Sequence, residues 1–313
     1  MKTFAKLTAI AALLAVTSVH AQQVKVATGG GKGTYHALFA NIAEKCGQEM
    51  AMIEVPTDGS ITNLDKLTGK EVGAAFMQTD VLFASAQGRD LGNIKTLVAF
   101  NKESVHVIAA AASGLKTSGN AIGYGKTDIV FGYAEDLAGY KVAAAGGSVV
   151  TAQLIRQQGQ LNWTVVPVAD NDAALAAVRA GTAQAAVLVG GQPMPIVKGL
   201  ATGVKLLPFK PTTVELLKTV YTPQRLSYTK LSTNAVPSIA TDALLVTRTV
   251  STPERLAALS SLRACITRNI GEWQDADGAH PAWSEVDPAN RGKWAYYDLP
   301  VPTTAAPAKA GKK

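Results

Sequence analysis

One pattern in this sequence restricts its fold more than any other. A short apolar run, a turn of small residues and an amphipathic helix occur near the start of the chain and again in its middle. The first copy reads "QQVKVATGGGKGTYHALFANIAEKCG" and the second "KVAAAGGSVVTAQLIRQQG". In the first, Leu38, Ile42 and Cys46 recur at four-residue spacing and the run ends on Gly47, which predicts a helix with one buried stripe. Both copies continue alike: "AMIEVPT" and "SITNLDKLTGKEVGAAFMQTD" follow the first, "NWTVVPVAD" and "NDAALAAVRAGTAQAAVLVGG" the second. Alternating strand and helix imply a mostly parallel sheet with helices on its faces, here as two α/β lobes of related topology.

Between the copies, "LVAFNKESVHVIAAAASG" reads as a strand crossing from one lobe to the other near His106. The return is expected in "VKLLPFKP", where two prolines end a strand. Beyond it, "NAVPSIATDALLVTRTVSTPERLAALSSLRACITRNI" predicts a strand and a capped helix with Leu256, Leu259 and Ile266 inward, assigned to the first lobe. The expected organisation is lobe 1 at 22–106 and 209–302, lobe 2 at 107–208, and a hinge of two strands.

The ends read differently from the body. Residues 1–21, "MKTFAKLTAIAALLAVTSVHA", combine Lys2 and Lys6, an apolar Leu7–Val16 stretch and a Val19-His20-Ala21 cleavage pattern, as in a secretory signal. This makes the expected location periplasmic. The tail at 303–313 lacks large apolar side chains and is expected to be solvated. Of the formal net charge of +7, Lys2 and Lys6 leave with the signal and Lys309, Lys312 and Lys313 sit in the tail, so the body carries about +2. A body this close to neutral shows no basic footprint for nucleic acid. Cys46 and Cys265 are the two cysteines. In an oxidising compartment they form either a disulfide or two buried thiols, and both readings stay open here.

The chemistry concentrates at strand ends. The first turn, "VATGGGKGTY", fails as a Walker loop because Lys32 is followed by Gly33 rather than a hydroxyl residue. It also fails as a dinucleotide fingerprint: Gly29 and Gly31 fit, Thr34 replaces the last glycine, and Glu54 precedes a loop-like Val55-Pro56. No cofactor is expected. What remains is a turn whose backbone N–H groups approach a ligand and whose helix presents its positive end. Thr28, Gly30, Gly33, Thr34 and Tyr35 are the candidates there, and Gly146, Gly147, Ser148 and Thr151 their counterparts in the second copy. "TDGSITN" adds Ser60 and Asn63, "FMQTD" adds Gln78 and Asp80, and "LVGGQPMP" adds Gln192 and Pro193. Ligands of open α/β sheets bind beyond the carboxyl ends of strands, where these residues converge. Two inward-facing helix N-termini suit a small anion, most simply a carboxylate.

Catalytic constellations are absent from the pattern. His36, His106 and His280 form no H-E-x-x-H, no Cys-x-x-Cys occurs, and "GGSVV" lacks the last glycine of a nucleophile elbow. The expectation is a binding protein rather than an enzyme, with an exported hydrolase or transferase as the lesser reading.

These segments also carry a family resemblance. "ATGGGKGTYHAL", "PTDGSITNLDKLTGKEVGAAFMQTDVLFA", "EDLAGYKVAAAGGSVVTAQLI", "AVRAGTAQAAVLVGGQPMP", "VPSIATDALLVTR" and His280-Pro281 together resemble the TAXI-type solute-binding proteins of tripartite ATP-independent periplasmic (TRAP) transporters, over about Val24 to Leu299. The resemblance implies a type II periplasmic-binding-protein fold closing on an organic anion such as glutamate, a dicarboxylate or an oxo-acid. It further implies a monomer that hands its ligand to an ion-driven membrane permease. A binding protein that feeds a sensor partner would need the same cleft. Carried over, the site comprises Gly33, Thr34, Tyr35, Ser60, Asn63, Gln78, Gly147, Ser148 and Gln192. The chain departs from the family at His36 and Ala37, where an aromatic and a proline are common, and at Lys32, where a small residue is usual.

Overall fold

The computed structural model describes residues 23–31, 33–48, 50–118, 125–200 and 203–300. The expected signal at 1–21, Lys32 and the tail at 303–313 lie outside the described residues. The first unit runs β1 (Val24–Ala27), α1 (Thr34–Cys46), β2 (Met52–Val55), α2 (Ser60–Thr68), β3 (Ala74–Gln78) and α3 (Thr79–Ser85), followed by the long strand β4 (Ile94–Ala110). The second unit runs β5 (Lys141–Ala145), α4 (Gly147–Gln158), β6 (Thr164–Val168), α5 (Asn171–Arg179) and β7 (Ala185–Gly190). After α6 (Pro195–Lys198), β8 (Val204–Leu206), α7 (Pro211–Leu217) and β9 (Thr222–Leu226) comes a second long strand, β10 (Val236–Arg248), and then α8 (Pro253–Asp275).

All ten strands join one sheet in the order β2-β1-β3-β10-β4-β7-β5-β6, with β8 on β4 and β9 on β10. β1 lies parallel between β2 and β3, and β5 lies parallel between β6 and β7. The doubled sequence pattern is therefore a doubled three-strand unit, set on opposite flanks of the antiparallel pair β4–β10. Both long strands serve both lobes. β4 pairs with β7 only from Ser104 onward, and β10 pairs with β9 up to Ala240 and with β3 from Ala243. The register between them shifts between Asp242 and Leu244, where the chain passes from one lobe to the other.

The outgoing crossing thus lies at Ser104, close to the His106 expected from sequence, but the return is not in "VKLLPFKP". That stretch forms β8, which pairs with Ile108–Ala110 of β4 at the far end of the second lobe. Phe209, Leu217, Val220 and Tyr221 are buried in one apolar cluster with Val105, Val142 and Ile155 of that lobe. Leu226, Tyr228 and Val236 pack with Leu175 and Leu188 on its other face. The boundary expected at 208/209 therefore moves to the middle of β10, near Thr241. A proline-ended apolar strand looks the same in sequence whether it crosses or doubles back.

Each lobe is a sheet covered on both faces, which is why Ala74–Met77 of β3 and Val142–Ala145 of β5 read as continuous apolar runs. On one face of the first lobe, Leu38, Ile42, Phe76, Phe100, Leu262, Ile266 and Trp283 pack together. On the other, Leu64, Leu67, Met77, Leu82 and Leu244 do so. α1 and α8 share the first of these clusters, and Cys46 and Cys265 join them in a disulfide.

The bridge spans 219 residues of sequence, so it removes a large closed loop from the freedom of the unfolded chain. Replacing both cysteines by serine is expected to lower stability by about 2–5 kcal/mol. Denaturant melts of the variant and the oxidised parent would check this, and coincident curves would refute it.

Candidate functional site

The two lobes face each other across the crossing strands, and a cavity of about 300 Å³ opens there with walls from both. The first lobe contributes Tyr35, Gly59, Ser60, Gln78 and Glu103, and the second Gly146, Gly147, Ser148, Asp170 and Val189. A second cavity of about 320 Å³, bounded by Lys25, Met50, Val72, Arg248 and Leu259, is walled by the first lobe alone. A ligand in that second cavity would touch one lobe and could not bias closure. The interlobe cavity is the candidate site.

Helix ends define its polarity. α2 starts after Gly59 at φ 111°, and α4 after Gly146 at φ 51°. Both positions need a left-handed or similar backbone that glycine adopts without strain. Neither helix start is capped by a side chain, and the same holds for α1 behind Gly33. The first N–H groups of such helices have no intrahelical acceptor and carry the positive end of the dipole. α2 and α4 bring theirs to one cavity from opposite lobes. α5 differs, because Asp170 caps it by accepting from the Ala173 amide at 2.7 Å.

The polar side chains fall into two groups. Ser60, Gln78 and Ser148 line the cavity: Ser60 Oγ accepts from the Gln78 amide at 3.0 Å, and Ser148 Oγ from the Val189 amide at 3.1 Å. Gly147 comes so close to Gln78 Oε1 that a Cβ on it would collide. Beneath them lies Glu103 of β4, 8% exposed, which accepts from Tyr35 Oη at 3.1 Å. Burial pushes the Glu103 carboxyl up to about 7, against the Tyr35 hydrogen bond that favours its ionised form. Burial, reinforced by Glu103, holds the Tyr35 phenol well above its ordinary value.

The second group joins the lobes without reaching the cavity. Asp80 of α3 is fully buried and accepts from Thr151 Oγ1 of α4 at 2.6 Å and from Tyr221 Oη at 2.9 Å. Its other oxygen accepts from the Val81 amide, and burial raises its carboxyl above the usual range. Expected as ligand contacts, Asp80 and Thr151 instead bind each other.

Others of the expected set make hydrogen bonds within the fold and do not line the cavity. Thr28 donates to Glu54, which also binds His36 Nδ1. Asn63 donates to the carbonyls of Thr28 and Phe76, fixing α2 to β1 and β3. Gly30 accepts from the Gly33 amide at 2.7 Å, and neither they nor Thr34 line the cavity. Gln192 bridges to the Arg225 carbonyl and the Ser227 amide, and Pro193 follows it on the second lobe. Tyr35, Ser60, Gln78, Gly146, Gly147 and Ser148 are the expected residues that the fold does bring together. The turn that faces Gly147 is Gly59–Ser60 rather than Gly33. Glu103 is the main omission; its signal was a charged "NKES" interrupting an apolar strand.

This architecture defines a mixed α/β, two-lobe fold of the periplasmic-binding-protein kind. The chain belongs to the NMT1-like family, whose model matches residues 26–259. No curated protein matches it by sequence. Among solved structures it is similar to the GluR0 ligand-binding core from Nostoc punctiforme in complex with L-glutamate, at 12% identity and TM-score 0.48, covering 80% of this chain and 93% of that one. It is also similar to a substrate-binding protein of an amino acid ABC transporter, at 9% identity and TM-score 0.46, with 80% and 93% covered. The periplasmic VFT2 domain of Bordetella pertussis BvgS gives 13% identity and TM-score 0.42, with 79% and 92% covered. Among the described residues no helix is long and apolar enough to cross a membrane, and no cluster of His, Cys, Asp and Glu is placed to hold a metal.

Two measurements probe these contacts. Thr151→Val leaves the buried Asp80 without one donor and is expected to cost about 1–3 kcal/mol, whereas Thr151→Ser keeps most of the stability. Equal losses in denaturant melts of the two would contradict the assignment. For Glu103, the folded-state value near 7 lies above the ordinary 4.5, so the folded chain binds more protons and its stability falls as pH rises between these values. His106, pushed down to about 4 by burial, acts in the opposite sense below 6.5. The stability of Glu103→Gln minus that of the parent should therefore rise between pH 4.5 and 7, by up to about 3 kcal/mol, then level off. A difference that does not change with pH would show that Glu103 is not desolvated.

Proposed function

We propose that this protein is a periplasmic solute-binding protein that captures a small carboxylate-bearing metabolite between its lobes and delivers it to a TRAP-type permease. One observation carries the reading: the uncapped N-termini of α2 and α4, from opposite lobes, open onto the same cavity. A carboxylate placed there accepts backbone hydrogen bonds from both lobes at once. Because it gains those bonds only when the lobes meet, it favours the closed arrangement over the open one. The TAXI-like sequence segments support delivery to a permease rather than catalysis. Ser148 and Ser60 place hydroxyls beside the two helix starts, and Gln78 spans from one wall to the other.

The close approach of Gly147 to Gln78 supplies the test. Gly147→Ala forces the Gln78 side chain out of its place, so it is expected to weaken binding about tenfold or more while shifting the melting temperature little. A thermal-shift panel of amino acids, oxo-acids and dicarboxylates identifies the strongest stabiliser, and calorimetry on the parent and variant measures the loss. Unchanged affinity would remove the interlobe cavity as the binding site.

A further inference from the structure

The charges around the cavity narrow the ligand further than the helix ends do. Its walls include three carboxylates, those of Glu103, Asp58 and Asp170, and among the described residues no lysine, arginine or histidine lines it. Asp58 is exposed and Asp170 is engaged as the α5 cap. Glu103 is different, being buried under the cavity with Tyr35 as its one hydrogen-bond donor among the described residues. The adjacent Lys102 is paired with Asp242 instead.

On the positive side stand the two helix ends, each equivalent to roughly half an elementary charge, enough for one carboxylate. A second carboxylate would lie among three acidic groups with no cation among the described residues lining the cavity to neutralise it. An ammonium group would meet the buried Glu103 carboxylate, which is paired with no cation among the described residues.

We propose that the solute is an amino acid lacking a second carboxylate, its α-carboxylate on the starts of α2 and α4 and its ammonium on Glu103. This rests on the solute-binding reading above and departs from the organic anion expected from sequence. The groups facing Glu103 are Tyr35 from α1 and Asp80 from α3, with Lys102 and Asp242 beside it on β4 and β10 and Asp58 and Asp170 across the cavity. Tyr35 stays neutral throughout the physiological range, and Asp80 is held by Thr151 and Tyr221.

An ammonium ligand binds the ionised form of Glu103. With that group titrating near 7, affinity should rise about tenfold between pH 6 and 8. An anionic ligand without the ammonium favours the protonated form, and its affinity rises as pH falls.

The test is calorimetry at pH 6 and pH 8 with the twenty amino acids, the matching 2-oxo acids and succinate. The expected result is that a neutral or basic amino acid binds at least a hundredfold more tightly than its own 2-oxo acid, with affinity increasing toward pH 8. Glu103→Gln should cost at least tenfold and abolish that pH dependence. The comparison within the parent protein decides the matter even where the variant fails to fold. A 2-oxo acid, succinate or glutamate binding as tightly as any other compound, and more tightly at pH 6, would overturn the amine assignment and leave the solute-binding reading intact. Binding by no member of the panel at either pH would overturn both.

Discussion

The antiparallel pairing of β4 with β10 is the constraint from which the rest follows. Each of these strands is too long for one lobe: β4 has 17 residues and β10 has 13. They pair with each other across the middle of the molecule, and each then flanks a three-strand parallel unit. The lobes can consequently move only by bending where both strands cross together, between Ser104 on one and Thr241–Asp242 on the other. Two strands of this kind permit a hinge while resisting separation and large twists. The same geometry puts the carboxyl ends of β2 and β5, and the starts of α2 and α4 beyond them, on either side of one gap. Ligand chemistry can be placed there because the backbone has already placed the walls.

Contacts across that gap divide the labour. Asp80, Thr151 and Tyr221 form a buried hydrogen-bonded node, and breaking it leaves one oxygen of the buried carboxyl without its side-chain donors. Burial raises that carboxyl above its usual range, against the hydrogen bonds from Thr151, Tyr221 and the Val81 amide that favour its ionised form. Close by, Gly147 and Gln78 meet with no room for a side chain on the glycine. One set of contacts holds the lobes in register, and the other leaves a cavity whose walls include backbone amides, two serine hydroxyls and Glu103.

Much of this was legible in the sequence, for definite reasons. The repeated strand–turn–helix unit survives as the symmetric sheet order because hydrophobic periodicity is set by which faces are buried. Glycines at strand ends marked helix starts that need unusual backbone angles, and Gly146 fits that reading directly. Three things could not be read locally. "FMQTD" and "GGSVVT" each look like polar residues at a ligand-facing strand end, yet Asp80 and Thr151 satisfy one another across the lobes, a fact that exists only in three dimensions. The return crossing was misplaced because β8 and β10 are both apolar strands with prolines nearby, and only pairing partners distinguish them. Glu103 is missing from the expected set because adjacent charges in a crossing strand, Lys102 and Glu103, read as surface until the strand is known to be buried on both faces.

That buried carboxylate has a cost which bears on selectivity. Ionised, it gives up hydration and recovers a single hydrogen bond; protonated, it keeps the fold content but presents a neutral group to the cleft. A site that holds such a group discriminates by what it leaves unpaired. A ligand that completes the Glu103 pairing repays desolvation already spent in folding, while one that lacks the complementary group closes the lobes over an unsatisfied acid. Differences of this kind reject analogues far more strongly than a change of shape in an apolar pocket does. Hinge closure then turns the local mismatch into a failure to shut, since the energy for closing comes only from contacts that both lobes make at once. Selectivity and closure in this cleft are thus two readouts of the same few hydrogen bonds.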